Sequence, residues 1–141
     1  MTRVLILLAL TAVAVGIAYL LQRRRPDPPS APSYRAPSQL DRDDFLRPEA
    51  PILVAVFAST TCDTCPRAWE TVQAVAGRYA DLMSVQRIDV QDDPDTHKRY
   101  RIDGVPTTVV ADPEGVVQEA FFGPMTDEQL LGVLPPAPEG R

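Results

Sequence analysis

Residues 4–21 read VLILLALTAVAVGIAYLL, eighteen positions without a charge. As a helix this run spans about 27 Å, close to the hydrocarbon thickness of a bilayer. It is apolar on every side, unlike a one-faced surface helix. The expectation is a retained membrane anchor over residues 1–22. A cleaved signal peptide is the alternative, since Arg3 precedes the run, but the run exceeds the usual signal core. It also closes on Leu20, Leu21 and Gln22 rather than on a small-residue cleavage site.

Residues 23–37 follow as a basic and proline-rich linker, with Arg23, Arg24 and Arg25 and then PDPPSAPSYRAP, which can neither continue a helix nor sit in a central strand. From 38 the pattern becomes that of a folded body, expected over 38–134, with 135–141 (PPAPEGR) as a disordered tail. Residues 41–47 suggest a short helix with Asp41 as its N-cap. Residues 52–58 (ILVAVFA) form a near-continuous branched run, the pattern of a strand buried on both faces. Trp69, Val72, Ala76 and Tyr79 recur at helical spacing and predict an amphipathic helix over 66–81, in which Trp69 packs into the core. Strands are predicted over 84–90, 106–111 and 116–122, and a short helix over 94–101. Asp112-Pro-Glu-Gly115 supplies the turn of the final hairpin. Thr126 and Gln129 form a capping box opening a last helix over 126–134. The order strand, helix, strand, helix, strand, strand, helix predicts an α/β fold: a mixed central sheet with helices on both faces.

Charge separates the chain into unlike parts. The net −5 is the sum of +4 over residues 1–37 and −9 over 38–141. An acidic body is a poor nucleic-acid binder, so no nucleic-acid partner is expected. The arginine triplet after the apolar run favours a cytoplasmic body by the positive-inside rule, with an extracytoplasmic body as the alternative. The only histidine, His97, sits in a polar stretch and reads as a solvated surface residue. Asp92, Asp93 and Asp95 read as a solvated loop, since they lack the loop glycine and closing glutamate of a calcium-binding hand. Two cysteines are too few for a disulfide scaffold or a four-cysteine zinc site. No metal is expected.

The candidate chemistry lies in Cys62-Asp63-Thr64-Cys65, placed between a buried strand and a helix. At a helix N-terminus, unpaired N–H groups and the helix dipole favour a thiolate. Such a thiol attacks disulfides, and a second thiol one turn on resolves the mixed disulfide. An inert structural pair and a half zinc site shared across a dimer remain as alternatives. Asp63 and Thr64 are expected to modulate the pair, with Asp63 opposing the dipole. Val105-Pro106 opens the third strand, and a cis bond there would leave the Val105 backbone free to pair with a substrate chain.

Over residues 38–134 the body resembles the thioredoxin family. The likeness is carried by Phe45, ILVAVFAS, the C-x-x-C, Asp92-Asp93-Pro94, the stretch from Tyr100 to Thr107 and Gly123 before Gln129-Leu130. The resemblance implies that Cys62 is the nucleophile, Cys65 the resolving cysteine and Pro106 a cis proline against the disulfide, with Thr61, Val105 and Pro106 meeting the substrate. Protein disulfides and dithiols would be the partners, and no organic cofactor would be needed. Thr61, Asp63 and Thr64 depart from the family's usual Trp before the first cysteine and Gly-Pro between the two. Val56 aligns with the family's buried aspartate, and Arg87 with its lysine partner. The reading is a membrane-tethered thiol–disulfide oxidoreductase. A non-catalytic thioredoxin-like binding module and an extracytoplasmic enzyme for cytochrome maturation or disulfide formation are its rivals.

Overall fold

The structure, a computed structural model, describes residues 15–16 and 34–137. The chain divides into two compact units, Met1–Ala31 and Pro32–Arg141. Of the first, only Val15 and Gly16 are described, both helical. The rest of the anchor expected over 1–22 therefore lies outside the described residues. Among the described residues, no helix is long and apolar enough to cross a membrane.

The second unit is built around β1 (Ile52–Ala58), in which all seven residues are buried. Alternate side chains leave opposite faces of a strand. Ile52, Val54 and Val56 enter one apolar cluster, while Leu53, Ala55 and Phe57 enter another. Both faces must therefore be covered. Helix α1 (Cys65–Ala76) supplies Val72 and Val75 to the first cluster, joined by Leu130 from α3 (Asp127–Leu131). Helix α2 (Pro94–Arg99) lies on the second face, where Tyr100 joins Phe45, Leu40 and Ile88. Strands β2 (Met83–Asp89), β3 (Thr107–Ala111) and β4 (Val117–Phe122) complete a sheet of order β2-β1-β3-β4. β1 pairs parallel with β2 and antiparallel with β3, and β3 pairs antiparallel with β4. The mixed sheet with helices on both faces agrees with the pattern read from sequence.

Several elements differ from that reading. Residues 41–47 form only a 3-10 turn, Arg42–Asp44, with Asp41 as the N-cap. The turn stops because Phe45 is extended and buried in the second cluster. α1 ends at Ala76 with Gly77 as its C-cap, so Tyr79 fills the first cluster from outside the helix. His97 is buried, not solvated. α2 presses its inward side against the sheet, so His97 Nε2 lies 2.9 Å from the Ile88 carbonyl and its ring meets Phe57 edge-on at 5.3 Å. Asp93 caps α2, accepting from the Thr96 N–H at 3.0 Å and the Thr96 hydroxyl at 2.7 Å, and these bonds hold its carboxyl below the usual range. Asp92 and Asp95 are exposed. The start of the tail is placed: Tyr79 Oη donates to the Pro135 carbonyl at 2.8 Å, and Ala137 packs on the first cluster. Tyr34, from the end of the expected linker, meets Phe122 at a tilt of 51° with ring centroids 5.3 Å apart.

Polar anchors tie the loops to the sheet. The buried Arg42 guanidinium donates to the carbonyls of Pro48 at 3.2 Å and Asp112 at 3.0 Å. Gly115, at φ +80°, closes the hairpin turn where a side chain's Cβ would lie 2.0 Å from the Leu40 carbonyl oxygen. Tyr100 Oη accepts from the Asp41 N–H at 3.0 Å and donates to Asp44. Burial first, and then the bond to Asp44, push this phenol from 10.0 up to about 12. Because the folded value is the higher one, the neutral phenol stabilises the fold below pH 10.0, and that contribution is lost as pH rises through about 12. Tyr100→Phe should cost about 1–2 kcal/mol at neutral pH by denaturant unfolding. It should also flatten the fall in stability over that alkaline window, and an unchanged slope would refute the assignment.

Candidate active site

β1 ends at Ala58, and the chain returns as α1 at Cys65. The loop between them is organised by Ser59, a buried residue directly after the strand. The Ser59 carbonyl accepts from the Cys62 N–H at 3.2 Å. Its hydroxyl oxygen accepts from Gln91 Nε2 at 2.7 Å and from the Thr61 N–H at 3.3 Å, and lies 3.0 Å from the Thr61 hydroxyl. Gln91 also accepts from the Thr60 N–H at 3.0 Å. Neither Ser59 nor Gln91 was singled out from sequence. No local sequence signal marks them: the parallel pairing of Ala58 with Asp89 is what brings Ser59, the first residue beyond β1, near Gln91, the second beyond β2.

Cys62 and Cys65 form a disulfide with Cα atoms 5.5 Å apart. The two sulfurs are not equivalent. Cys65 is the first residue of α1 and is wholly buried, whereas Cys62 is half-buried on the loop. The Cys65 N–H, one of the unpaired donors at the helix start, points at Cys62 Sγ from 3.2 Å, and the Thr64 hydroxyl is 3.7 Å from the same sulfur. Negative charge on Cys62 would therefore meet an N–H dipole and the positive end of a helix. Pro66, the second residue of α1, sits there without sacrificing an intrahelical bond. Asp63, Thr64 and Thr61 are exposed around the pair, and Trp69 is partly buried against the first cluster, as its spacing predicts.

The Val105–Pro106 bond is cis. Pro106 is buried and Val105 half-buried. Thr107 pairs with Phe57, so the start of β3 lies beside the end of β1, the same end of the sheet from which the cysteine loop leaves. Thr61, Cys62, Asp63, Thr64, Cys65, Val105 and Pro106 are thus gathered at one end of the sheet. The Pro106 carbonyl accepts from the Gly123 N–H at 2.8 Å, and the Thr107 hydroxyl donates to the Gly104 carbonyl at 2.7 Å, which holds the turn. Val56 is buried among aliphatic side chains. Arg87, its neighbour on β2, is engaged by Asp89 through two 2.8 Å bonds, which raise the guanidinium further above its ordinary value.

Replacing Ser59 with alanine leaves Gln91 Nε2 and the Thr61 N–H without their shared acceptor. Ser59→Ala should cost about 1–2 kcal/mol in denaturant unfolding. It should also slow alkylation of Cys62 in the reduced protein severalfold, because the loop no longer holds the sulfur on the Cys65 N–H. Unchanged alkylation kinetics would show that the network serves stability alone.

The thioredoxin family model matches residues 39–134. The thioredoxin of Methanocaldococcus jannaschii is 34% identical over 83 residues, covering 59% of this chain and 92% of its own. That of Acidithiobacillus ferridurans is 28% identical over 91 residues, covering 64% of this chain and 82% of its own. Among solved structures, the germline-specific thioredoxin Deadhead of Drosophila melanogaster aligns with a TM-score of 0.53 at 25% identity, over 60% of this chain and 79% of its own. Chloroplastic thioredoxin z aligns with a TM-score of 0.52 at 26% identity, over 59% of this chain and 74% of its own. With the family model matching residues 39–134, which hold the sheet, the helices and the cysteine loop, the chain belongs to the thioredoxin family and is a thiol–disulfide oxidoreductase with a cysteine pair at C-x-x-C spacing.

Proposed function

We infer that this protein exchanges disulfides with protein substrates while tethered to a membrane by residues 1–22. One observation carries the exchange chemistry: the accessible sulfur, Cys62, receives the N–H that opens α1, and its partner, Cys65, is buried behind it. With the pair reduced, the Cys62 thiolate attacks a substrate disulfide, forming a mixed disulfide and releasing one substrate thiolate. Cys65 loses its proton and attacks Cys62 Sγ, which closes the internal disulfide and expels the second substrate thiolate. Two electrons and two protons pass to the substrate. Run backwards, the same steps oxidise a substrate dithiol. The dithiol is itself the redox group, so the reaction calls for no metal or organic cofactor.

Val105 and Pro106 supply a backbone edge for the substrate chain beside the disulfide, and Thr61 borders it. Asp63 and Thr64 tune Cys62, Asp63 by adding a negative charge next to the sulfur and Thr64 through its hydroxyl. Support for the tether is the uncharged run over 4–21 followed by Arg23, Arg24 and Arg25. Support for a cytoplasmic body is the same triplet, which the positive-inside rule favours on that side.

Cys65→Ser, expressed in cells as the full chain, should accumulate mixed disulfides through Cys62, and the Cys62→Ser/Cys65→Ser double variant should accumulate none. Absence of any adduct from the single variant would refute the assigned roles. In the same cells the full chain should sediment with membranes and a chain lacking residues 1–22 should not. A C-terminal reporter enzyme active only outside the cytoplasm should be silent, and its activity would overturn the orientation.

A further inference from the structure

Thr108, the second residue of β3, has no exposed surface. Among the described residues, its Oγ1 is the one buried side-chain polar atom without a hydrogen-bond partner. The other buried polar side chains of the sheet are matched, Thr107 donating to Gly104 and Ser84 to Leu46, and on α2 the buried His97 meets Ile88. A buried hydroxyl with no partner has given up its water without replacement, which is unfavourable and uncommon.

The register shows where this hydroxyl stands. Thr108 is opposite Val56 on β1 and Phe121 on β4. Directly opposed residues share a face, and Val56 belongs to the cluster beneath α1. β1 and β3 are antiparallel, so Thr108 is level with Val56, two residues before β1 ends and the chain passes into the loop that returns as Cys65. Cys65 is also wholly buried. The charged groups near this end are otherwise occupied or outside: Arg87 and Asp89 on β2 satisfy each other, and Asp63 is exposed on the loop.

The geometry points to Thr108 as the hydrogen-bond donor that awaits the opened disulfide: its hydroxyl, unmatched while the pair is closed, donates to Cys65 Sγ once the pair is reduced. In the reaction with glutathione, two glutathione thiols become one disulfide. The Cys62–Cys65 Sγ–Sγ bond breaks, and two electrons and two protons pass to the two cysteines. The closed form carries an unmet hydrogen bond that the open form satisfies, so Thr108 favours the dithiol and makes the couple more oxidising. It also favours the Cys65 thiolate, which is the species that resolves the mixed disulfide. The inference rests on the exchange chemistry proposed above but concerns a residue outside the C-x-x-C.

Thr108→Val keeps the shape and removes the hydroxyl. Equilibration of the full chain with glutathione buffers should show the disulfide favoured tenfold or more over wild type, which is about 30 mV for this two-electron couple. Thr108→Ser should stay within twofold of wild type, and Thr108→Ala should follow valine if the valine variant fails to fold. In a Cys62→Ala background, the Cys65 thiol should ionise at higher pH with valine than with threonine at 108. A valine or alanine variant whose equilibrium and Cys65 titration match wild type, with only its melting temperature moved equally in both redox states, would overturn the inference. A wild-type protein that never exchanges with glutathione would instead refute the underlying redox reading.

Discussion

The structure depends on a seven-residue strand that is buried along its whole length. Because β1 is buried on both faces, it needs one cover for Val54 and Val56 and another for Leu53 and Phe57. Each cover brings part of the site with it. α1, required over the first face, must begin at the end where β1 stops, so its unpaired N–H groups face the same loop. β3, pairing antiparallel with β1, must begin at that end too, which brings Val105 and Pro106 alongside. The site is thus a consequence of how a doubly buried strand is enclosed.

The same enclosure separates the two cysteines. A three-residue spacing across a loop-to-helix junction leaves one sulfur on the loop and turns the other into the core. Once α1 is fixed on the sheet, Cys65 has no alternative environment, and Cys62 is held by the Ser59 carbonyl and the Cys65 N–H. The two sulfurs are set apart by burial and by helix direction, while Asp63 and Thr64 between them are exposed.

What could be read from the sequence was what local pattern determines. β1, the hairpin turn at Asp112–Gly115, the Thr126–Gln129 capping box and the strand-to-helix placement of the cysteines all have short-range causes, and all appear in the structure. His97 was misread because α2 is six residues long, too short for a periodic pattern to mark its inner side, and the stretch is polar by composition. The turn at Arg42–Asp44 was overextended because the demand of the core for Phe45 is a tertiary effect. The Ser59–Gln91 network joins residues 32 apart in sequence, and the matching of Thr108 with Val56 crosses two strands. Neither is legible without register.

Val56 shows how the core and the chemistry are coupled. A carboxylate at this position would have to be neutralised or paired, since an isolated buried charge is costly. Valine there adds instead about 1.5–3 kcal/mol of apolar burial. Arg87 then has no partner across the strand and turns along its own strand to Asp89. This arrangement gives β1 an uninterrupted apolar face beneath α1, with no carboxylate at position 56. One side chain at this position can extend the apolar face or carry a carboxylate, but not both. The chain's solution favours the sheet.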